Sequence, residues 1–324
     1  MQGTATRREF LGQTAALGAG LIAGTALSAR ATANTESSPM RVTIRDAHLK
    51  HTGLPDCWTA LQRIGAEGVE AVLNDDLELP ELFHPEERYT AATAAGREQV
   101  QARAEAAGQR ITAFCMFNRF EERPDFEVQW CRKAAEIAGE LNVAAIRIDV
   151  VPRTMEQDAF LKHAIGVLKR VIEATESTGA RFAVENHGRF TNDPDFLAAL
   201  FHGVGSQRLG LTLDTANFYW FGHPLSKLYE IYERFADRTF HTHCKSIRYP
   251  EEYREQRRPM GWRYAEFHSP IYEGDIDFER VVAILKQAGY SDDLCIESAS
   301  HRGRTGPEVL TMFAKEVDML KRLR

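Results

Sequence analysis

From residue 41 to the C-terminus, short apolar runs rich in β-branched residues alternate with longer stretches in which apolar residues recur every three or four positions. The runs "RVTIRDAHL" (41–49), "GVEAVL" (68–73), "ITAFCMF" (111–117), "AAIRIDV" (144–150), "RFAVEN" (181–186), "LGLTLD" (209–214), "TFHTHC" (239–244) and "LCIESA" (294–299) read as strands. Segments 56–66, 89–107, 125–141, 155–179, 193–202, 225–236, 277–288 and 306–322 carry the helical period. Eight β-then-α units in one uninterrupted stretch predict an α/β fold, a single-domain (β/α)8 barrel. An open doubly wound sheet is the alternative, but no strand is followed by a G-x-G-x-x-G turn. One long irregular segment, Ser246 to Asp277, follows the seventh strand on the face where barrel active sites lie. Its length predicts a lid or a binding loop.

Strand parity then separates structure from chemistry. In a barrel, one parity of each strand faces the helices and must be apolar, while the other faces the interior. Phe182 and Val184 point outward, leaving Glu185 inward; Leu211 and Leu213 leave Asp214 inward; Phe240 and Thr242 leave His241 and His243 inward; Ile296 leaves Glu297 inward. Four consecutive strands therefore end, at the C-terminal edge, in Glu185, Asp214, His243 and Glu297. Crowded carboxylates repel in a low-dielectric pocket, and a bound divalent cation is the usual way they stay ionised together. Three carboxylates and one imidazole suit Mn²⁺ or Mg²⁺, and Zn²⁺ or Co²⁺ can also occupy such a set. The competing reading, in which each carboxylate is salt-bridged, needs several compensating cations inside the mouth. Within "FHTHCK", alternate residues share a face roughly 7 Å apart. His243 is level with Asp214 and Glu297, and His241 lies one layer deeper as a buried or supporting residue.

Other polar residues are expected near this mouth. His187 either contacts a substrate hydroxyl or caps backbone groups, and Asn217 is either a substrate ligand or a turn residue. Arg147 and Asp149 are both inward on the fourth strand, and mutual pairing is favoured over a role for Arg147 in substrate binding. Lys245 is an acid/base or substrate-ligand candidate, or merely neutralises the acidic mouth. His268, in the pair Glu266-x-His268, is a candidate to shape the substrate pocket.

The segments "VENHG", "LTLDTANF", "HTHCK", "YEGDIDF" and "CIES", in that order, resemble the xylose-isomerase-like TIM barrel superfamily of sugar isomerases and epimerases. The resemblance extends from about Met40 to the C-terminus. It implies a metal quartet of Glu185, Asp214, His243 and Glu297, as in ketose 3-epimerases, with Glu185 and Glu297 also moving protons beside a carbonyl. The implied function is a divalent-metal-dependent isomerase or epimerase acting on an unphosphorylated sugar or sugar derivative. The alternative is a metal-dependent lyase or dehydratase of a keto-sugar, keto-glycoside or keto-inositol. A non-catalytic carbohydrate-binding barrel is the third reading. The endonuclease IV branch of this superfamily also carries an acidic-x-His pair, but it needs histidines on strands two and three, which are lacking here.

Composition narrows the setting. Formal net charge is −6, from 46 acidic and 40 basic side chains, which gives no basic footprint for nucleic acid. Five cysteines without C-x-x-C spacing suggest neither a zinc knuckle nor a disulfide framework, and all five are expected to be structural. Residues 1–33 resemble a twin-arginine export signal: Arg7 and Arg8 precede a weakly apolar run too short to span a bilayer, with small-x-small sites at Ala29–Ala31 and Ala31–Ala33. The mature domain is then 34–324, periplasmic or extracellular, with no membrane segment of its own. A small carbohydrate is the expected partner; a homo-oligomer is compatible with such a barrel, although no apolar stripe marks a surface for one.

Overall fold

The computed structural model describes residues 39–324; the export-signal reading falls on residues outside these. Eight parallel strands form one sheet: β1 (Arg41–Arg45), β2 (Val69–Val72), β3 (Ile111–Met116), β4 (Ala145–Ile148), β5 (Phe182–Glu185), β6 (Leu209–Asp214), β7 (Thr239–His243) and β8 (Asp293–Ile296). The strand order is sequential, with β8 beside β1. The β7–β8 seam is joined by a parallel bridge between Cys244 and Ile296, so the barrel is nearly closed. No described helix is long and apolar enough to cross a membrane.

A helix follows each strand, and local chemistry sets where most of them start. Asp56 accepts from the Thr59 N–H to cap Cys57–Ile64, and Asp277 accepts from Glu279 and Arg280 to cap Phe278–Gln287. A Thr305/Glu308 capping box opens Gly306–Leu323, while Pro124 and Pro194 occupy first-turn positions of Pro124–Glu140 and Pro194–Val204. The outward strand residues Val42, Ile44, Phe114, Ile148, Phe182, Val184 and Leu211 are fully buried under these helices. Burial of that apolar layer supplies the main driving force for the fold.

Several element boundaries differ from the sequence reading, and two of the larger shifts have a clear local cause. The first strand stops at Arg45, because Asp46 begins a helical turn, Asp46–Leu49, whose carboxylate accepts from the Val72 N–H across the barrel end. The helix expected from residue 89 begins at Ala94, since Thr90 is bridged antiparallel to Glu78 and Thr93 is the N-cap. The long segment after β7 is more ordered than its composition suggests. It carries a two-stranded antiparallel ribbon, Ser246–Ile247 with His268–Ser269, and two short helices, Glu251–Arg254 and Tyr264–Phe267. Buried Arg258, with its guanidinium 4.5 Å from the ring centres of Tyr219 and Tyr249, donates to the Tyr219 and His223 carbonyls and ties this segment to the loop after β6.

Candidate metal centre

Register brings the four strand-end residues together. Asp214 pairs with His243, a bulge after Leu211 having put Thr212 opposite His241, and the Glu297 N–H donates to the Cys244 carbonyl at the seam. Donor atoms of Glu185, Asp214, His243 and Glu297 lie within 4.8 Å of one another. Glu185, Asp214 and His243 are buried, and the Glu297 side chain is 13% exposed, so the cluster is reached only from the mouth.

Each carboxylate is held through both oxygens, and one of the two also faces the other members of the cluster. Glu185 Oε2 accepts from Arg147, 2.6 Å from Nε, while Oε1 accepts from Asn217 Nδ2 at 3.0 Å. Asp214 Oδ1 caps the following turn, accepting from the Ala216 and Asn217 N–H groups, both at 2.8 Å. Glu297 Oε1 accepts from Arg45 Nη1 at 2.6 Å. Lys245 Nζ stands 3.1 Å from both Asp214 Oδ2 and Glu297 Oε2. His243 Nδ1 lies 3.1 Å from Glu297 Oε2, out of line for a hydrogen bond, and 3.6 Å from Glu185 Oε1, too far for one, so this buried nitrogen has no partner.

The charge states follow from these contacts. Burial works to raise the Glu185 carboxyl, yet Arg147 and His243 outweigh it and hold it well below the usual carboxylate range. At Glu297 burial is likewise overcome, by Lys245, His243 and Arg45. Asp214 goes the other way, pushed up to about 6 by burial and by Glu297 and Glu185 against the pull of Lys245. Burial disfavours charged Lys245, but Asp214 and Glu297 keep its ammonium protonated to well above its ordinary value. The donor set fits a divalent cation: inward carboxylate oxygens on three strands, and a partnerless imidazole nitrogen on a fourth.

The remaining expected residues fall around this cluster unevenly. Arg147 does pair with Asp149, at 2.8 Å, as expected, but it also pairs with Glu185, so it belongs to the site as well. His187 presents Nδ1 to Asp149 Oδ1 at 2.9 Å and keeps half its side chain exposed at the rim. Asn217 holds Glu185. His268 touches none of the four; its Nδ1 is 3.4 Å from Ser300 Oγ, in a cavity of about 410 Å³ shared with Arg248, Ser269, Arg302 and Arg304 at the C-terminal ends of β7 and β8. All five cysteines are free and buried, as expected.

Parity applied only to strands four to eight misses Arg45 and Glu70. Both lie inward, on β1 and β2, and both touch the cluster: Arg45 through Glu297, and Glu70 through His243 Nε2, at 3.1 and 3.0 Å from its two oxygens. The available signal was a single acid in the apolar run "GVEAVL" and a basic residue ending the first strand.

Residues 58–323 match the family model described as xylose isomerase-like TIM barrel. An uncharacterized protein of Methanocaldococcus jannaschii, MJ1311, is 24% identical over 183 residues, 54% of this chain; the chain spans little more than half of that relative, 57%. Among solved structures, the IOLI protein with a bound zinc atom superposes with a TM-score of 0.66 at 18% identity, covering 88% of this chain and 99% of that one. The probable 3-DHS dehydratase AsbF from Bacillus anthracis gives 0.60 at 13% identity, covering 87% and 99%. A sugar phosphate isomerase/epimerase from Parabacteroides distasonis gives 0.59 at 14% identity, covering 88% and 96%.

Proposed function

The chain belongs to the xylose isomerase-like TIM barrel family, and on that premise we propose that it is a divalent-metal-dependent enzyme that moves a proton on carbon next to the carbonyl of a sugar or sugar derivative. Isomerisation or epimerisation is the outcome the site supports best. The observation that carries this reading is the buried convergence of Glu185, Asp214, His243 and Glu297, with an unpartnered His243 Nδ1 aimed into it.

The cation, Mn²⁺ or Mg²⁺ by donor chemistry with Zn²⁺ or Co²⁺ as alternatives, would be held by these four residues and would supply polarisation of the substrate carbonyl. Proton movement falls to Glu185 and Glu297. Each is anchored through one oxygen by its own arginine, Arg147 or Arg45, which fixes its direction and favours the ionised, proton-accepting form. The carboxylate that takes the proton from carbon can return it to the neighbouring carbon, which is isomerisation; for epimerisation the opposite carboxyl must enter the step protonated and deliver its own proton to the other face, and solvent exchange then resets the pair. Asn217 orients Glu185 from the side. His187 at the rim and the polar cavity containing His268 supply partners for hydroxyl groups. The N-terminal twin-arginine pattern favours an exported enzyme and therefore an unphosphorylated substrate.

Lys245 supports a second outcome. Its ammonium, held between Asp214 and Glu297, can donate a proton to an oxygen leaving the adjacent carbon, which turns the same enolisation into a dehydration. The test is metal analysis of the purified protein, then an NMR screen of free sugars and keto-glycosides with that metal present. An isomeric product supports epimerisation or isomerisation, and an unsaturated or shortened product supports elimination. If Glu185→Gln and Glu297→Gln both leave metal content and turnover unchanged, the proposal is wrong.

A further inference from the structure

We infer that Glu70 is a positioning residue that selects Nδ1 of His243 as the nitrogen presented to the metal, standing directly above the hydrogen-bonded His241–Asp293 pair. The inference rests on the metal reading above and adds residues to it from the barrel floor.

Carboxylates and imidazoles alternate across the barrel interior. Asp293 Oδ1 is 2.7 Å from His241 Nδ1; His241 Nε2 is 3.3 Å from Glu70 Oε1 without making a hydrogen bond; and Glu70 meets His243 Nε2 with both oxygens, at 3.1 and 3.0 Å. None of the four residues is more than 3% exposed. Asp293 is itself fixed from three other directions, by Thr43 Oγ1 at 3.1 Å, Thr112 Oγ1 at 2.7 Å and the Tyr290 hydroxyl at 3.2 Å. The floor is therefore tied to β1, β3 and β7 at once.

When it ligates a cation, His243 is a neutral imidazole with one N–H and one lone pair. With Glu70 on the Nε2 side, placing the proton on Nδ1 would aim the Nε2 lone pair at a carboxylate inside a dry core. Placing it on Nε2 makes a charge-assisted hydrogen bond to Glu70 and leaves the Nδ1 lone pair facing Glu297 and Glu185, where Nδ1 has no partner. A carboxylate behind a ligating histidine is also the arrangement that orients the ring and raises its basicity. Sequence separation hides this pair: Glu70 and His243 are 173 residues apart.

Glu70, His241 and Cys295 also bring donor atoms within 4.8 Å of one another. A second ion at that depth would make Glu70 a ligand rather than a brace, and zinc stoichiometry separates the two.

Zinc is the probe, because it is diamagnetic. In the native protein labelled with ¹⁵N-histidine, zinc loading should give the ¹⁵N signature of a metal-bound Nδ1 and a protonated Nε2 for His243, at one equivalent of zinc. In Glu70→Gln, chelator competition should show zinc held roughly 10- to 100-fold more weakly. A metal-bound Nε2, two bound equivalents, or unchanged affinity in Glu70→Gln would overturn the inference while leaving the quartet intact. A native protein that binds no zinc would remove both readings. The native NMR measurement decides the tautomer even if Glu70→Gln does not fold.

Discussion

Arg147 offers the sharpest single test of how the site is held together. It is 1% exposed, and its guanidinium donates to Glu185, to Asp149 at 2.8 Å and to the Met116 carbonyl at 2.9 Å. Arg147→Met keeps most of the aliphatic stem but leaves two buried carboxylates facing each other without their cation. Removing one partner of a buried ion pair costs roughly 3–5 kcal/mol, because the remaining charge is desolvated and uncompensated. At roughly 2–4 °C per kcal/mol for a domain of this size, the midpoint of thermal unfolding should fall by about 6–20 °C. Adding Asp149→Asn removes one of the two orphaned charges, so the double variant should recover about 0.5–3 kcal/mol relative to Arg147→Met alone. A saturating divalent cation should stabilise Arg147→Met more than the native protein, since it supplies charge to Glu185. Scanning calorimetry of the three proteins, with and without metal, reads all of these. A loss below about 1 kcal/mol in Arg147→Met, or no recovery in the double variant, would refute the assignment of Arg147 as the buried counter-charge of the site.

Glu316, buried on Gly306–Leu323 with Oε1 accepting from the Ile271 N–H at 3.0 Å, has its carboxyl pushed up to about 8 by burial, against an ordinary 4.5. Between those values the folded chain keeps a proton that the unfolded chain has released, so stability falls as pH rises through the window. Glu316→Gln should flatten that slope in urea midpoints measured across it, though not abolish it, because buried Asp46 is likewise pushed up to about 8; an unchanged slope would reject the assignment. Gly222 has φ near 107°, and a Cβ there would overlap the Arg258 carbonyl oxygen. Gly222→Ala should therefore store about 1–3 kcal/mol of strain and accelerate limited proteolysis within 246–277 by about tenfold or more; unchanged cleavage would show that the contact does not hold the segment. Phe160 is fully buried, with ring centroids 6.1 Å from Phe190 and 6.2 Å from Phe196. Phe160→Ala should cost about 3–5 kcal/mol in denaturant unfolding, with metal stoichiometry unchanged.

Much of this protein is written in local pattern. Alternating runs and helical periods determine eight βα units, and the period of two within each strand determines which side chains face the interior. That was enough to select Glu185, Asp214, His243 and Glu297, since each ends a strand whose other parity is apolar. It was also enough to separate His243, level with Asp214, from His241 one layer down. The tertiary structure decided what surrounds them. Arg45 meets Glu297 across 252 residues of sequence because β8 pairs beside β1, and Glu70 meets His243 across 173 because closing the barrel turns β2 and β7 toward each other. It also decided that Arg147 serves two carboxylates rather than one, and that the segment after β7 is a built ribbon pinned by Arg258. Parity is a property of one strand and survives in the sequence. The partner of an inward charge depends on the register and closure of all eight, which no single stretch encodes.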